Sequence, residues 1–414
     1  LDYSSDTSTA TPKGTLSNST TTNTAATGDT SYGYFGGRSS GYPLNNWYST
    51  VDRIDYANDT ATASPKGPLS QQRYSCMAFS GKENGIAKLV PTVLAPVQPP
   101  FPFPVQLPAP GPSMGYFAAG SPGPGWNAFS GIDRIQFSND TATASPKGAL
   151  TASKYAMSGC GTMEYGYIGA GGQQPGPDFS DTDRIDYSND TATALARGKL
   201  NRAGRSTAAA SNTTYGYWAG GMTPYPTATS KVSRLTFASD TGIQVAKGNL
   251  TTVRRRWHAT GNQSYGYFAG GGGGSGGSRI DRIDYTNDTP TAASKGPLTV
   301  SRSGHAAAGN ASFGYFINGF APLETTSVER LDYSSDTTTA SPKGPLTSTR
   351  AYNTGTGSPD FGYVAGGWTQ AYGQISYTDR IEYSNDTATA LSKGKLNSNP
   401  YRNASVSARA YGLP

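Results

Sequence analysis

The chain has 414 residues, 35% of them hydrophobic and 14% charged, with 53 glycines and 28 prolines. No stretch carries about 18 uninterrupted apolar residues, which excludes a membrane-spanning helix. The net charge of +6 is spread along the chain and not gathered into the basic block that a nucleic-acid surface needs.

The chain opens inside a repeat, LDYSSDTSTATPKGTLS from Leu1, with no leading Met or secretion signal, so it reads as a processed product or a piece of something longer. Further copies begin at Arg53 (RIDYANDTATASPKGPLS), Arg134, Arg184, Arg234, Arg282, Arg330 and Arg380. Most starts lie 48 to 50 residues apart, and the step of 81 between Arg53 and Arg134 contains an insert, residues 82–113. A second phrase alternates with the first: YGYFGG at Tyr32, MGYFAAG at Met114, YGYIGAGG at Tyr165, YGYWAGG at Tyr215, YGYFAGG at Tyr265, FGYFING at Phe313 and FGYVAGG at Phe361.

Each unit predicts four short strands. The first follows Lys-Gly-x-Leu, as in SRSGHAAAG at Ser301; the second is the Tyr-Gly-Tyr phrase; the third is Arg-Ile-Asp-Tyr-Ser. A turn at Asn-Asp-Thr leads to the fourth, Thr-Ala-Ser-Pro-Lys-Gly. A period near 50 with four strands per unit is the signature of a β-propeller blade, so the expected fold is all-β, one propeller over residues 1–414. The Gly-Gly pairs then serve close backbone approach near the axis, with the aromatics before them packed between sheets. No helix follows them, so a nucleotide-binding loop is rejected.

The C-terminal YGLP at Tyr411 stands where an eighth inner strand would begin. Joined to the N-terminal half-blade it predicts a ring of eight blades. A seven-bladed ring with a spare half-blade, and an open end that pairs with the next chain, are the alternatives.

The Gly-Gly after an apolar strand, and the Arg-x-x-His-like strand opening a unit (SRSGHAAAG), resemble the kelch repeat over most of the chain outside the insert. The Trp usual after the third kelch strand is replaced here by Ala or Thr. The wording of the Arg53 and Arg184 repeats is similar to long repeat proteins of marine cyanophages, which implies a virion or fibre-like role. Some kelch-type propellers are copper oxidases with His, Tyr and Cys ligands. Here His258, His305, Cys76 and Cys160 are the only His and Cys, and no third ligand is placed by spacing. No metal site, cofactor, disulfide framework or enzymatic constellation is therefore expected.

Candidate recognition residues come from the segments after the Gly-Gly phrase, which differ most between repeats and occupy one topological position, hence one face. They carry Trp47, Tyr48, Trp126, Phe129, Phe179, Tyr225, Phe320, Trp368 and Tyr372. Aromatic rings beside Asn, Gln and Ser suit stacking on sugar rings or seating a protein partner; unconstrained loops would vary as well. The insert is Pro-rich yet apolar, and an extended arm carrying Val93, Leu94, Phe101, Phe103 and Leu107 is expected to lie on a neighbouring subunit or on its own disk. The turns at Asn58, Asn139, Asn189, Asn287 and Asn385 are also N-x-Thr glycosylation sequons, though Asn-Asp is first a turn former. The recurring Asp-Arg, as at Asp133-Arg134, predicts a ring of ion pairs between blades and no catalytic carboxylate. The sequence thus points to a virion or extracellular structural module. Its expected partners are its own copies, virion proteins or surface glycans, and an extracellular microbial filament is the competing setting.

Overall fold

A computed structural model describes residues 12–17, 25–28, 32–40, 46–66, 113–121, 128–173, 175–272 and 277–411. These residues form antiparallel strands and short 3-10 turns, and no helix among them is long and apolar enough to cross a membrane. The chain divides into two compact units, Leu1–Val105 and Gln106–Pro414.

The first unit holds one four-stranded sheet, Ala25–Gly28, Tyr32–Ser40, Asn46–Asp55 and Ser64–Lys66, paired in that order. Residues 12–17 dock on it: the Gly14 N–H donates to the Asp59 carbonyl at 2.7 Å, and Lys13 Nζ lies 3.2 Å from the Asp59 carboxylate.

The second unit holds six four-stranded sheets. In the sheet Ala208–Ser211, Tyr215–Ala219, Val232–Thr236, Val245–Lys247, the strands follow the order read from the repeat. The six first strands are Ser158–Gly161, Ala208–Ser211, His258–Gly261, Ala306–Gly309, Thr354–Gly357 and Ala404–Ser407. Each lies against the next and the last lies against the first. They are built mainly of Ala, Gly, Ser and Thr because six backbones converge there. One residue in the left-handed region precedes each by two positions: Ala156, Ser206, Arg256, Gly304, Tyr352 and Arg402, with φ between 56° and 62°. Their backbones join in a cycle of hydrogen bonds of 2.6 to 3.4 Å. Ser206 donates to Ala156, Arg256 to Ser206, Gly304 to Arg256, Tyr352 to Gly304, Arg402 to Tyr352, and Ala156 to Arg402. The six sheets therefore follow one another around a common axis, a β-propeller-like arrangement.

The ring is not joined where the sequence suggests. The strand Ala404–Ser407 pairs with Met114–Gly120, with Ala404 opposite Ala118 and Ser407 opposite Gly115. It thereby supplies the first strand of the sheet that continues through Phe129–Gln136 and Ser145–Lys147. The expected partner, the N-terminal half-repeat, is part of the other unit. Tyr411 does not begin an inner strand. It is a turn residue at φ 58°, with its carbonyl accepting from Gln263 Nε2 and its hydroxyl 3.0 Å from the Gly159 carbonyl.

A single joint, repeated six times, holds the sheets together. Asp288, of an Asn-Asp-Thr turn, accepts from Tyr217 Oη and Arg234 Nη1 of the preceding sheet, both at 2.8 Å, and Lys247 Nζ lies 2.9 Å away. Asp190, Asp336 and Asp386 receive the same three kinds of donor, and Asp240 takes Tyr167, Arg184 and, in place of the Lys, Arg197 at 3.4 Å. Asp140 takes Tyr363, Arg380 and Lys393, which completes the circle. Above each carboxylate the Tyr ring stacks on the aromatic of the next sheet, as Tyr217 does on Tyr285 at 4.9 Å. Such pairs contribute about 0.5–1.5 kcal/mol each beyond area burial.

The repeated Asp-Arg pair splits in two, which corrects the expectation. The Arg reaches the next sheet, whereas the Asp stays within its own: Asp281 binds Arg254 and Asp379 binds Arg350, each from the segment leading into the same sheet.

The Gly of Lys-Gly-x-Leu is required by the same joint. A Cβ on Gly248 would stand 1.7 Å from the Pro290 carbonyl oxygen of the next sheet. Gly248→Ala is expected to cost about 3 kcal/mol, as overpacking against backbone does. Calorimetry would register it as a lower melting temperature, and an unchanged melt would rule out this close approach.

Candidate functional site

In each sheet the first strand runs away from one end and the second returns to it, because the pair is antiparallel. The loops after the second strands thus open on the face that carries the six left-handed residues. The Gly-Gly pairs make that return feasible. Gly220 and Gly221 have φ of 59° and 91°, and a Cβ on Gly221 would meet the Arg205 carbonyl at 2.7 Å.

Of the loop aromatics expected from sequence, two come together. Phe320 ends the strand Phe313–Phe320, and Trp368 begins a small hairpin, Trp368–Thr369 with Gly373–Gln374. Their rings are 6.3 Å apart. With Tyr352, Tyr401, Leu323 and Gln374 they line a groove of about 400 Å³. Tyr372 lies at the tip of the same hairpin and is 76% exposed.

The other candidates are dispersed. Phe179 is half-buried under Lys154, whose ammonium lies 5.7 Å from its ring. Tyr225 is exposed beside Arg205, 5.2 Å from its ring centre. Phe129 opens a strand opposite Gly120. Trp47 and Tyr48 lie in the strand Asn46–Asp55 of the first unit, paired with Ser39 and Arg38, and so belong to a strand and not to a loop. Trp126 and the arm residues Val93, Leu94, Phe101, Phe103 and Leu107 lie outside the described residues. The sequon residues Asn58, Asn139, Asn189, Asn287 and Asn385 are exposed on their turns.

Beside the groove, on the axis, is a smaller cup. It is lined by Arg256, Trp257, His258, Tyr352, Asn353, Arg402 and Asn403, together with Ala, Met, Ser, Thr and Gly of the same cycle. Tyr352 and Arg402 belong to both cavities. The Arg402 guanidinium lies 4.5 Å from the Tyr352 ring centre, and that of Arg256 lies 5.7 Å from it. Burial, with Arg256 nearby, draws the Arg402 pKa below its ordinary value. Burial also draws His258 down to about 4, so it is neutral at pH 7.

Sequence reasoning missed this cup. Its residues occupy two successive positions of the repeat, which read Ala-Met, Ser-Thr, Arg-Trp, Gly-His, Tyr-Asn and Arg-Asn around the ring, just before first strands of small residues. That local variation was the available signal.

The two histidines are not equivalent. His258 starts the strand His258–Gly261, whereas His305 precedes the strand Ala306–Gly309. Their rings are 5.9 Å apart. Among the described residues no three His, Cys, Asp or Glu side chains are grouped as metal ligands would be. Cys160 is a buried free thiol whose pKa is pushed up by burial. Comparison of the chain with protein families and with curated proteins gives no match.

Proposed function

We propose that this chain is a non-enzymatic structural and recognition module, a six-bladed kelch-like propeller with an additional N-terminal blade. Its setting is a phage virion appendage or fibre, and it binds a host-surface glycan or a neighbouring virion protein. The observation that carries the reading is the groove between Phe320 and Trp368, on the face from which the variable loops project. A trough of aromatic rings edged by Gln370, Gln374 and Glu324 has the stacking planes and hydrogen-bonding rim that a sugar chain needs. Trp368→Ala removes one stacking plane and is expected to weaken attachment to the host surface about tenfold, with melting unchanged. Particle adsorption assays with the variant check this. Unchanged adsorption would count against the groove.

A second reading, a subunit of an extracellular filament, draws on the N-terminal sheet. Tyr34, Arg53 and Lys66 hold the positions from which each ring sheet reaches the next sheet's Asp. None of the three has such an Asp among the described residues. Tyr34 is half-buried, whereas Tyr217 and Tyr267 are 0% exposed. A second copy offering an Asn-Asp-Thr-like turn would complete the joint by half-blade exchange.

A further inference from the structure

The cup on the axis has room, about 30 Å³, for one carboxylate-sized group or a pair of waters. Its lining contains two guanidinium groups and no Asp or Glu. Arg256 forms no ion pair among the described residues, unlike the arginines of the joints. Asn353 and Asn403, 1% and 2% exposed, line the cup with amides that have no hydrogen-bond partner. The indole Nε1 of Trp257, a residue 1% exposed, has none either. Buried polar groups are normally paired, and leaving one unpaired costs about 1–3 kcal/mol. Here three such side chains meet in one cavity beside two cations, and the N–H groups among them require acceptor atoms.

A cation is disfavoured by the two arginines, and an apolar group would leave every amide unpaired. An anion serves the guanidinium groups and the unpaired N–H groups, since charge-assisted hydrogen bonds from guanidinium to carboxylate or sulfate are the strong ones, while the amide oxygens of Asn353 and Asn403, which also lack a partner, call for hydroxyl or water donors beside it. The cup and the aromatic groove are neighbours that share Tyr352 and Arg402 in their linings.

We propose that the axial cup binds the anionic group, carboxylate or sulfate, of an acidic saccharide whose sugar rings lie in the groove between Phe320 and Trp368. This rests on the recognition reading above and names the ligand class for the same face.

The test is titration of the full chain, followed by tryptophan fluorescence, with three oligosaccharides of equal length: a uronic acid oligomer, a sulfated oligomer and a neutral one. At least one acidic oligomer is expected to bind about tenfold more tightly than the neutral one. Which of the two does so identifies carboxylate or sulfate. Arg256→Gln, in the cup alone, is expected to remove most of that preference and to leave affinity for the neutral oligomer unchanged, whereas Arg402→Gln, at a residue that lines both cavities, is expected to remove the preference and to weaken neutral binding as well. Arg256→Lys keeps the charge and is expected to retain part of the preference, and melting curves confirm that each variant folds. Equal binding of acidic and neutral oligomers, with both lost in Trp368→Ala, would overturn the anion site while sparing the recognition face. An acid preference that survives both arginine substitutions would place the anion elsewhere and also overturn it. Binding of no saccharide, with adsorption indifferent to Trp368→Ala, would remove the recognition reading itself.

Discussion

Removal of residues 404–414 is expected to open the ring and lower its melting temperature by roughly 10 °C or more, the shift that about 5 kcal/mol produces in a unit of this size. The strand Met114–Gly120 would lose its inner partner and present an unpaired edge, which invites association between chains. The lost core contacts are specific. Ala404, Val406 and Ala408, each 1% exposed, pack in one cluster with Tyr116, Met157 and Ile168. Val406 also fills the space over Gly159 and Gly166, where an added Cβ would stand 2.7 and 2.5 Å from its methyl groups. The cycle of backbone hydrogen bonds would be strained where Arg402 bridges Tyr352 and Ala156. Calorimetry and light scattering of the truncated chain check the expectation. A synthetic peptide spanning residues 398–411 is expected to restore the melt when added in trans. A truncated chain that stays monomeric with an unchanged melt would show that this strand does not close the ring.

The second large effect is expected at the joints. Asp288→Ala leaves Tyr217 Oη, Arg234 and Lys247 without their shared acceptor. Breaking a buried ion pair from one side costs about 3–5 kcal/mol, because the abandoned charge has been taken from water without compensation. Tyr217→Phe removes one neutral donor from the same carboxylate and is expected to cost about 1 kcal/mol. The contrast between the two variants separates the charge from the hydrogen bond.

The same carboxylates set the response to acid. Burial alone would raise the pKa of Asp288. The Lys247 and Tyr217 hydrogen bonds and the Arg234 charge prevail and hold it below its ordinary value. Asp140 and Asp336 are lowered in the same way. A carboxyl with a folded pKa below its unfolded value, about 3.9, stabilises the fold fully above that value. It loses the contribution as pH falls through the folded pKa. The melting temperature is therefore expected to fall steeply below about pH 4, and less steeply in Asp288→Ala. Asp133, whose pKa is raised by burial, acts in the opposite sense and offsets part of the loss. Melting curves between neutral and acid pH measure the slope; equal slopes in the two proteins would mean that the joint does not govern acid stability.

The local structure was legible in the sequence because it is decided locally. The alternation in Arg-Ile-Asp-Tyr sets which side chains face each side of a strand. Asp186 accepting from the Ser188 N–H at 2.9 Å initiates the turn that Asp-Tyr-Ser-Asn announces, and Gly-Gly marks where the backbone must turn near a neighbour. Repetition of the phrases identified a ring of blades joined by recurrent ion pairs. What depends on distant segments was not legible. The first strands SGCG, AAAS, AAAG, TGTG and ASVS are nearly interchangeable in size and polarity. Nothing in them says which strand pairs with Met114–Gly120, and the count of repeats that suggested eight blades does not decide it; the second unit holds six four-stranded sheets. The partners of the Asp-Arg pair were likewise open, because a carboxylate and a guanidinium adjacent in a strand point to opposite faces of the sheet. The cup is the clearest case: Arg256, Tyr352 and Arg402 come from three different repeats. Each is unremarkable in its own, and only closure of the ring brings two cations and three unpaired buried side chains to one point on the axis.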